Sequence, residues 1–224
     1  VFVQVGSSGA ILQANNIGVN VNIPNDPPTV AAAAPSSVEF DEDDSYSSLN
    51  LATVFSDPDG DDLTFAVGST TNLAVTNVAS GTPTFTPDEN WNGEETVRFS
   101  ADDGRNDPVT HDITVTVLPV NDQPYVKKTL VNFEMDEDAT DENIQLVKHF
   151  DDIDGDSLSY VASGNENIGV EIDPATSKVV FTPDENWNGD ETITFTASDG
   201  YLSASDDVKV TVKPVNDAPY MSVA

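Results

Sequence analysis

The chain contains no cysteine, so neither a disulfide nor a thiolate metal site supports its fold, and no cysteine nucleophile acts in it. Positive charge is also scarce: 8 Lys and Arg stand against 40 Asp and Glu among 224 residues, a formal net charge of −32. A chain of that sign repels nucleic acid and anionic membrane surfaces, which removes both from the expected partners. Long apolar runs are missing as well. Stretches such as Val30-Ala31-Ala32-Ala33-Ala34 fall far short of the roughly 20 residues a membrane-crossing helix needs, so no membrane insertion is expected. The 2 histidines, His111 and His149, occupy unrelated positions without matching nucleophile or ligand spacing, which leaves a catalytic or zinc role unsupported. No basic, apolar leader opens the sequence, and Val1 falls in mid-pattern, which predicts a section of a longer chain.

What the chain has in excess is carboxylate. Self-repulsion on this scale opposes compaction unless counter-ions are bound, and hard divalent cations are the natural counter-ions for carboxylate oxygens. A calcium-rich setting is the expectation that follows.

Internal repetition is the strongest signal. Phe85-Thr-Pro-Asp-Glu-Asn-Trp-Asn-Gly93 recurs unchanged as Phe181-Thr-Pro-Asp-Glu-Asn-Trp-Asn-Gly189, offset by 96 residues. Asp57-Pro-Asp-Gly-Asp61 returns as Asp152-Ile-Asp-Gly-Asp156, and Asp41-Glu42-Asp43 as Asp136-Glu137-Asp138, both offset by 95. Asn-Asp pairs at Asn25-Asp26, Asn121-Asp122 and Asn216-Asp217 mark the boundaries. The expected organisation is therefore a terminal hairpin of a preceding repeat over 1–26, repeat 1 over 27–122, repeat 2 over 123–217, and the start of a further linker over 218–224.

Within each repeat the apolar period is two. Val97, Phe99 and Ala101 alternate with polar neighbours, as do Ile113, Val115 and Val117, and the second copy repeats the pattern at Ile193, Phe195 and Ala197 and at Val208, Val210 and Val212. No segment offers a sustained helical stripe. Short strands bounded by Gly, Asp, Asn or Pro predict an all-β fold of tandem immunoglobulin-like β-sandwiches, about seven strands each.

Each repeat carries acids at separated places: Glu42, then Asp57 and Asp59, then Asp88 and Glu89, then Asp103; the second has Glu137, Asp152 and Asp154, Asp184 and Glu185, and Asp199. Calcium takes six to eight oxygens, several of them commonly carboxylate, so convergence of such groups would satisfy it. Any single acid here is equally an ordinary turn residue. The density of carboxylates carries more weight than their recurrence, because homologous repeats share turns as well as sites. The Asp-x-Asp-Gly-Asp run is not an EF-hand loop: its glycine follows the second Asp, and Gly68 and Ser163 stand at the twelfth positions, where a bidentate Glu is required.

Together these motifs resemble the calcium-binding signatures of cadherin-like repeats, in particular the tandem repeats of large bacterial surface adhesins. The resemblance rests on Asp-x-Asp-Gly-Asp-x-Leu, the later Ala-x-Asp-Gly and the terminal Val-Asn-Asp-x-Pro, and it covers residues 27–219. It implies cadherin-like sandwiches with Ca2+ between consecutive repeats. For the central junction it implies Glu42, Asp88 and Glu89 from repeat 1, Asn121 and Asp122 from the linker, and Asp152, Asp154 and Asp199 from repeat 2. For the amino-terminal junction it implies Asn25, Asp26, Asp57, Asp59 and Asp103, and for the carboxy-terminal one Glu137, Asp184, Glu185, Asn216 and Asp217. Asp88 and Glu89 are adjacent, whereas the cadherin acidic pair brackets a third residue, and Gln123 stands where cadherin commonly has another Asn.

The function expected from this reading is an extracellular, cell-surface section of a bacterial adhesin, rigidified by calcium, acting as a spacer and in adhesion. Its partners would be neighbouring repeats of the same chain, with a host or neighbouring-cell glycan or protein beyond them. A glycan- or protein-binding module is the alternative, for which Trp91 and Trp187 would be sugar platforms; their identical placement argues instead for a recurring packing role. Acid/base hydrolysis by paired carboxylates is the remote third, since acids that recur in every repeat suit an array better than one active site.

Overall fold

A computed structural model describes residues 24–217. The hairpin expected over Val1–Val5 and Val19–Ile23, and the segment 218–224, lie outside the described residues. The chain divides into two compact units, Val1–Pro119 and Val120–Ala224.

The first unit runs β1 (Thr29–Val30), β2 (Ser37–Asp41), a single helical turn α1 (Leu51–Val54), β3 (Phe55–Ser56), β4 (Thr64–Val67), β5 (Leu73–Thr76), β6 (Thr84–Pro87), β7 (Gly93–Asp102) and β8 (Val109–Leu118). A four-stranded sheet in the order β2-β8-β7-β4 faces the pairs β1-β3 and β5-β6. The second unit repeats this with β9 (Tyr125–Val126), β10 (Phe133–Asp136), β11 (Phe150–Asp151), β12 (Ser159–Ser163), β13 (Ile168–Ile172), β14 (Val179–Pro183), β15 (Gly189–Ser198) and β16 (Ser203–Lys213). Its sheet is ordered β10-β16-β15-β12, with β9-β11 and β13-β14 opposite. Each unit is an immunoglobulin-like sandwich.

The first strand of each sandwich is split between sheets. β1 pairs antiparallel with β3, whereas β2 runs parallel to β8. The crossing segments leave backbone groups that need partners, and both histidines serve there: a ring nitrogen of His111 lies 2.8 Å from the carbonyl oxygen of Pro35, and one of His149 lies 2.8 Å from that of Lys128. Their unrelated sequence positions conceal the same structural task.

The period-two residues form the cores. Phe99, Ala101, Ile113 and Val115 are fully buried in the first unit, and Phe195, Ala197, Val208 and Val210 in the second. Phe85 meets Phe99 edge-on at 6.0 Å and 83°, and Phe181 meets Phe195 at 6.1 Å and 86°, a geometry that aromatic quadrupoles favour. The repeated Asn-Trp-Asn-Gly motif closes a turn that brings Asn90 and Asn186 to φ 57° and 59°, values Asn tolerates better than most residues. Trp91 and Trp187 then lie half-buried against their own cores. A Cβ on Gly93 would meet Trp91 at 3.3 Å, and one on Gly189 would meet Trp187 at 3.2 Å, so the glycine makes room for the ring.

Candidate calcium-binding poles

Three loops meet at the amino-terminal end of each sandwich, and the Asp-x-Asp-Gly-Asp run supplies the central one. Its first Asp turns back on the loop backbone. Asp57 Oδ1 accepts the N–H groups of Asp59 at 2.8 Å and Asp61 at 3.2 Å; Asp152 Oδ1 does the same for Asp154 at 3.0 Å and Asp156 at 3.3 Å. Gly60 and Gly155 take φ 81° and 76°, the left-handed conformation that lets the chain reverse around the carboxylate.

The Asn-Asp pair docks on this loop and on the Ala-x-Asp-Gly turn. In the second unit Asn121 Nδ2 donates to Asp199 Oδ2 at 3.0 Å, and the Asp122 N–H donates to Asp154 Oδ2 at 2.7 Å. In the first unit Asn25 Nδ2 donates to Asp103 Oδ2 at 2.8 Å and the Asp26 N–H to Asp59 Oδ2 at 2.7 Å. The structure thus gathers Asn121, Asp122, Asp152, Asp154 and Asp199 at one pole, and Asn25, Asp26, Asp57, Asp59 and Asp103 at the other. The division of the chain leaves Asn121 and Asp122 in the second unit, where these bonds hold them.

Hydrogen bonds also fix the charge state of the turn acids. The backbone N–H groups of Asn106 and Arg105 hold the Asp103 carboxyl well below the usual carboxylate range. The Asn121 amide, followed by the N–H groups of Leu202 and Tyr201, depresses that of Asp199. Both carboxylates are charged at any physiological pH.

Some of these carboxylate oxygens lack hydrogen-bond donors. Asp152 is 7% exposed, yet its Oδ2 is buried with no hydrogen-bond partner, and Asp57 Oδ2 is in the same condition. A buried carboxylate oxygen without donor or counter-charge is costly. Oxygens of Asp152, Asp154 and Asp156 all lie within 4.8 Å of one another, a hard, all-oxygen set of the kind calcium accepts. Asp156 and its counterpart Asp61 were not among the sequence candidates; their place as the third Asp of each run was the available signal.

The remaining candidates lie elsewhere in each sandwich. Glu42 and Glu137 are 5% and 6% exposed. The Asn92 amide donates to Glu42 at 3.1 Å, that of Asn188 to Glu137 at 3.3 Å, and the Val215 N–H to Glu137 at 2.8 Å. Glu42 thus accepts a side-chain amide, and Glu137 accepts both an amide and a backbone N–H. Asn92 and Asn188, flanking the tryptophans, escaped the sequence reading. Asp88, Glu89, Asp184 and Glu185 are exposed in the turns that precede the tryptophans. Asn216 Nδ2 donates to the Asp217 carbonyl at 3.1 Å, and both residues are exposed.

Comparison with known proteins agrees with this architecture. Residues 25–116 match the sequence profile of a bacterial Ig domain, and residues 120–213 that of a cadherin-like domain. Among curated proteins no relative matches. Extracellular cadherin domains 3–6 of protocadherin gamma B2 are 19% identical over 85% of this chain and 48% of theirs, with a TM-score of 0.57. Domains 1–2 of human mucin-like protocadherin are 14% identical over 84% of this chain and 98% of theirs, with a TM-score of 0.52. An endo-fucoidan hydrolase of glycoside hydrolase family 107 aligns at 22% identity with a TM-score of 0.38, and the chain spans 29% of its length. Among the described residues no helix is long and apolar enough to cross a membrane.

Proposed function

We propose that this chain, whose successive segments match bacterial Ig and cadherin-like profiles, is a calcium-binding spacer section of an extracellular surface adhesin, without chemistry of its own. The observation that carries this reading is the unpartnered, buried Oδ2 of Asp152 beside Asp154 and Asp156. Bound there, calcium would supply the counter-charge and the extra ligand bonds that these oxygens lack.

The chain's own residues do the rest. Asp152 holds its loop in a reversal that presents two further carboxylates, and Asn121 and Asp122 bind the linker to that loop and to Asp199. Anchoring the linker at the pole removes backbone freedom from it. Recurrence of the acids in both repeats, and their use in bracing loop backbone, supports a structural array over an active site.

The test is a calcium titration of the whole chain that follows melting temperature and scattering dimensions together. Calcium should raise the melting temperature and lengthen the particle, chelator should reverse both, and Asp122→Asn should keep the fold while shortening the calcium-bound average. Equal melting and equal scattering with and without calcium would refute the reading. Magnesium should substitute poorly, because it demands a tighter octahedron and dehydrates reluctantly.

A further inference from the structure

The two poles share a loop motif but differ in what reaches into them. Asp103-Gly104-Arg105-Asn106 of the first unit corresponds to Asp199-Gly200-Tyr201-Leu202 of the second. Arg105 Nη1 donates to Asn25 Oδ1 at 2.8 Å and approaches Asp61 Oδ2 at 3.4 Å. Asn106 Nδ2 donates to the Asn25 carbonyl at 3.3 Å and to Asp103 Oδ2 at 2.9 Å. In the second unit neither tyrosine nor leucine can do this: Tyr201 is 86% exposed and Leu202 is 43% exposed. Among the described residues, no Lys or Arg pairs with Asp152, Asp154 or Asp156.

The placement of the basic residues sharpens the contrast. The first unit has only Arg98 and Arg105. Arg98 forms a two-pronged pair with Asp112 across β7 and β8, so Arg105 is the one cation the unit brings to its pole. It does so on the oxygens of Asn25 and Asp61, the first of which the calcium reading needs as a ligand. Correspondingly, Asp152, Asp154 and Asp156 are drawn within 4.8 Å of one another, whereas Asp57, Asp59 and Asp61 form no such group among the described residues.

We propose that Arg105 is a tethered cation that substitutes in part for calcium at the first pole, so that the two poles load at different calcium concentrations, the second before the first. This rests on the calcium-binding reading and adds its regulation: repeats carrying a basic residue after Ala-x-Asp-Gly stay assembled at low calcium, and those carrying an apolar one respond to it. The physical basis is short-range. A guanidinium within a few ångströms of the ligand oxygens is closer than the roughly 10 Å screening length at 0.1 M salt, so its repulsion of a second cation is largely unscreened. It must also give up its two contacts before both oxygens can turn to an ion.

The experiment is a calcium titration of the whole chain followed by the amide resonances of Gly60 and Gly155, each inside its acidic loop. Gly155 should half-saturate at about tenfold lower calcium than Gly60, a ratio equivalent to one charge-scale interaction. Arg105→Tyr should bring the Gly60 midpoint down toward that of Gly155 and leave Gly155 unmoved. Tyr201→Arg should raise the Gly155 midpoint about tenfold, and Arg105→Lys, which keeps the charge, should hold Gly60 near its wild-type value. The Arg105 side chain is 65% exposed, so the variant should fold, and undisturbed core amide resonances check that it does. If Gly155 binds calcium but Arg105→Tyr leaves the Gly60 midpoint unchanged, the tethered-cation proposal fails and the calcium reading stands. If neither glycine responds up to about 10 mM calcium, well above the range of extracellular calcium modules, both fail.

Discussion

The cores of the two repeats are near-duplicates, and their poles are not. Phe85 and Phe99 in the first sandwich hold the same edge-on geometry as Phe181 and Phe195 in the second. At the poles Arg105 reaches Asp61 of the Asp-x-Asp-Gly-Asp loop in one repeat, whereas among the described residues no Lys or Arg pairs with Asp152, Asp154 or Asp156 in the other. Close packing punishes any change of shape in a core, whereas an exposed acidic loop can exchange a protein cation for a solvent one at little cost to the fold. The repeats therefore share what holds them together and differ in the side chains that reach their poles.

The largest expected effect tests the shared half of this contrast. Phe99→Ala and Phe195→Ala, both at fully buried positions, should each cost about 3–5 kcal/mol, and the two values should agree within about 1 kcal/mol. Chemical denaturation of the two variants measures this. A large difference would mean that one core carries packing the other lacks. The next effect tests the divergent half: at a hundredfold excess over the dissociation constant calcium should add about 2.7 kcal/mol to a repeat that binds it, and Asp152→Asn should remove most of that from the second repeat alone. Melting curves in calcium and in chelator provide the readout.

Trp91→Ala and Trp187→Ala should cost about 2 kcal/mol each, less than a fully buried aromatic, because both rings are only half-buried. Equal losses would extend the duplicate region outward to the rim of each sandwich. A finer asymmetry concerns Glu95 and Glu191. Glu95 accepts the N–H groups of Thr71 and Asn72, the latter at 2.9 Å; Glu191 accepts those of Glu166 and Asn167, the latter at 3.0 Å, and is only 8% exposed. Replacement by Ala leaves backbone donors unmatched, about 1–2 kcal/mol by the cost of a lost buried acceptor, and the loss at 191 should exceed that at 95.

The smallest effect is one of pH. In the second repeat the backbone N–H of Ala175 and then the side chain of Thr176 depress the Asp173 carboxyl below its ordinary value. A carboxyl lowered in the folded state contributes stability above its unfolded value of about 3.9, and that contribution is lost as pH falls through the lower folded value. Asp173→Asn should therefore flatten the acid limb of the second repeat's melting temperature and leave the first repeat's unchanged.

Much of this was legible in the residue order. Alternation along Val97–Ala101 and Ile113–Val117 names the inward face directly, because a strand has only two faces and one must be buried. The Asp-x-Asp-Gly-Asp run and the Asn-Asp pairs were equally visible, since a loop that reverses around a carboxylate needs Gly at one position and short polar side chains around it. The split first strand, which adds an eighth short strand to each sandwich, was not, because β1 and β2 are too short to show a period.

By itself the sequence determined the all-β class, the two near-identical cores and the identity of the acids, because these follow from periodicity and repetition along the chain. Only the tertiary structure decided which oxygens converge, because Asn25 and Asp103, or Asn121 and Asp199, are 78 residues apart and meet only when loops from three strand connections reach one end of a sandwich. It likewise decided that Arg105 enters a pole rather than lying on a sheet face as Arg98 does. A side chain's charge is written in the sequence, but the field it sits in is made by residues that folding brings beside it.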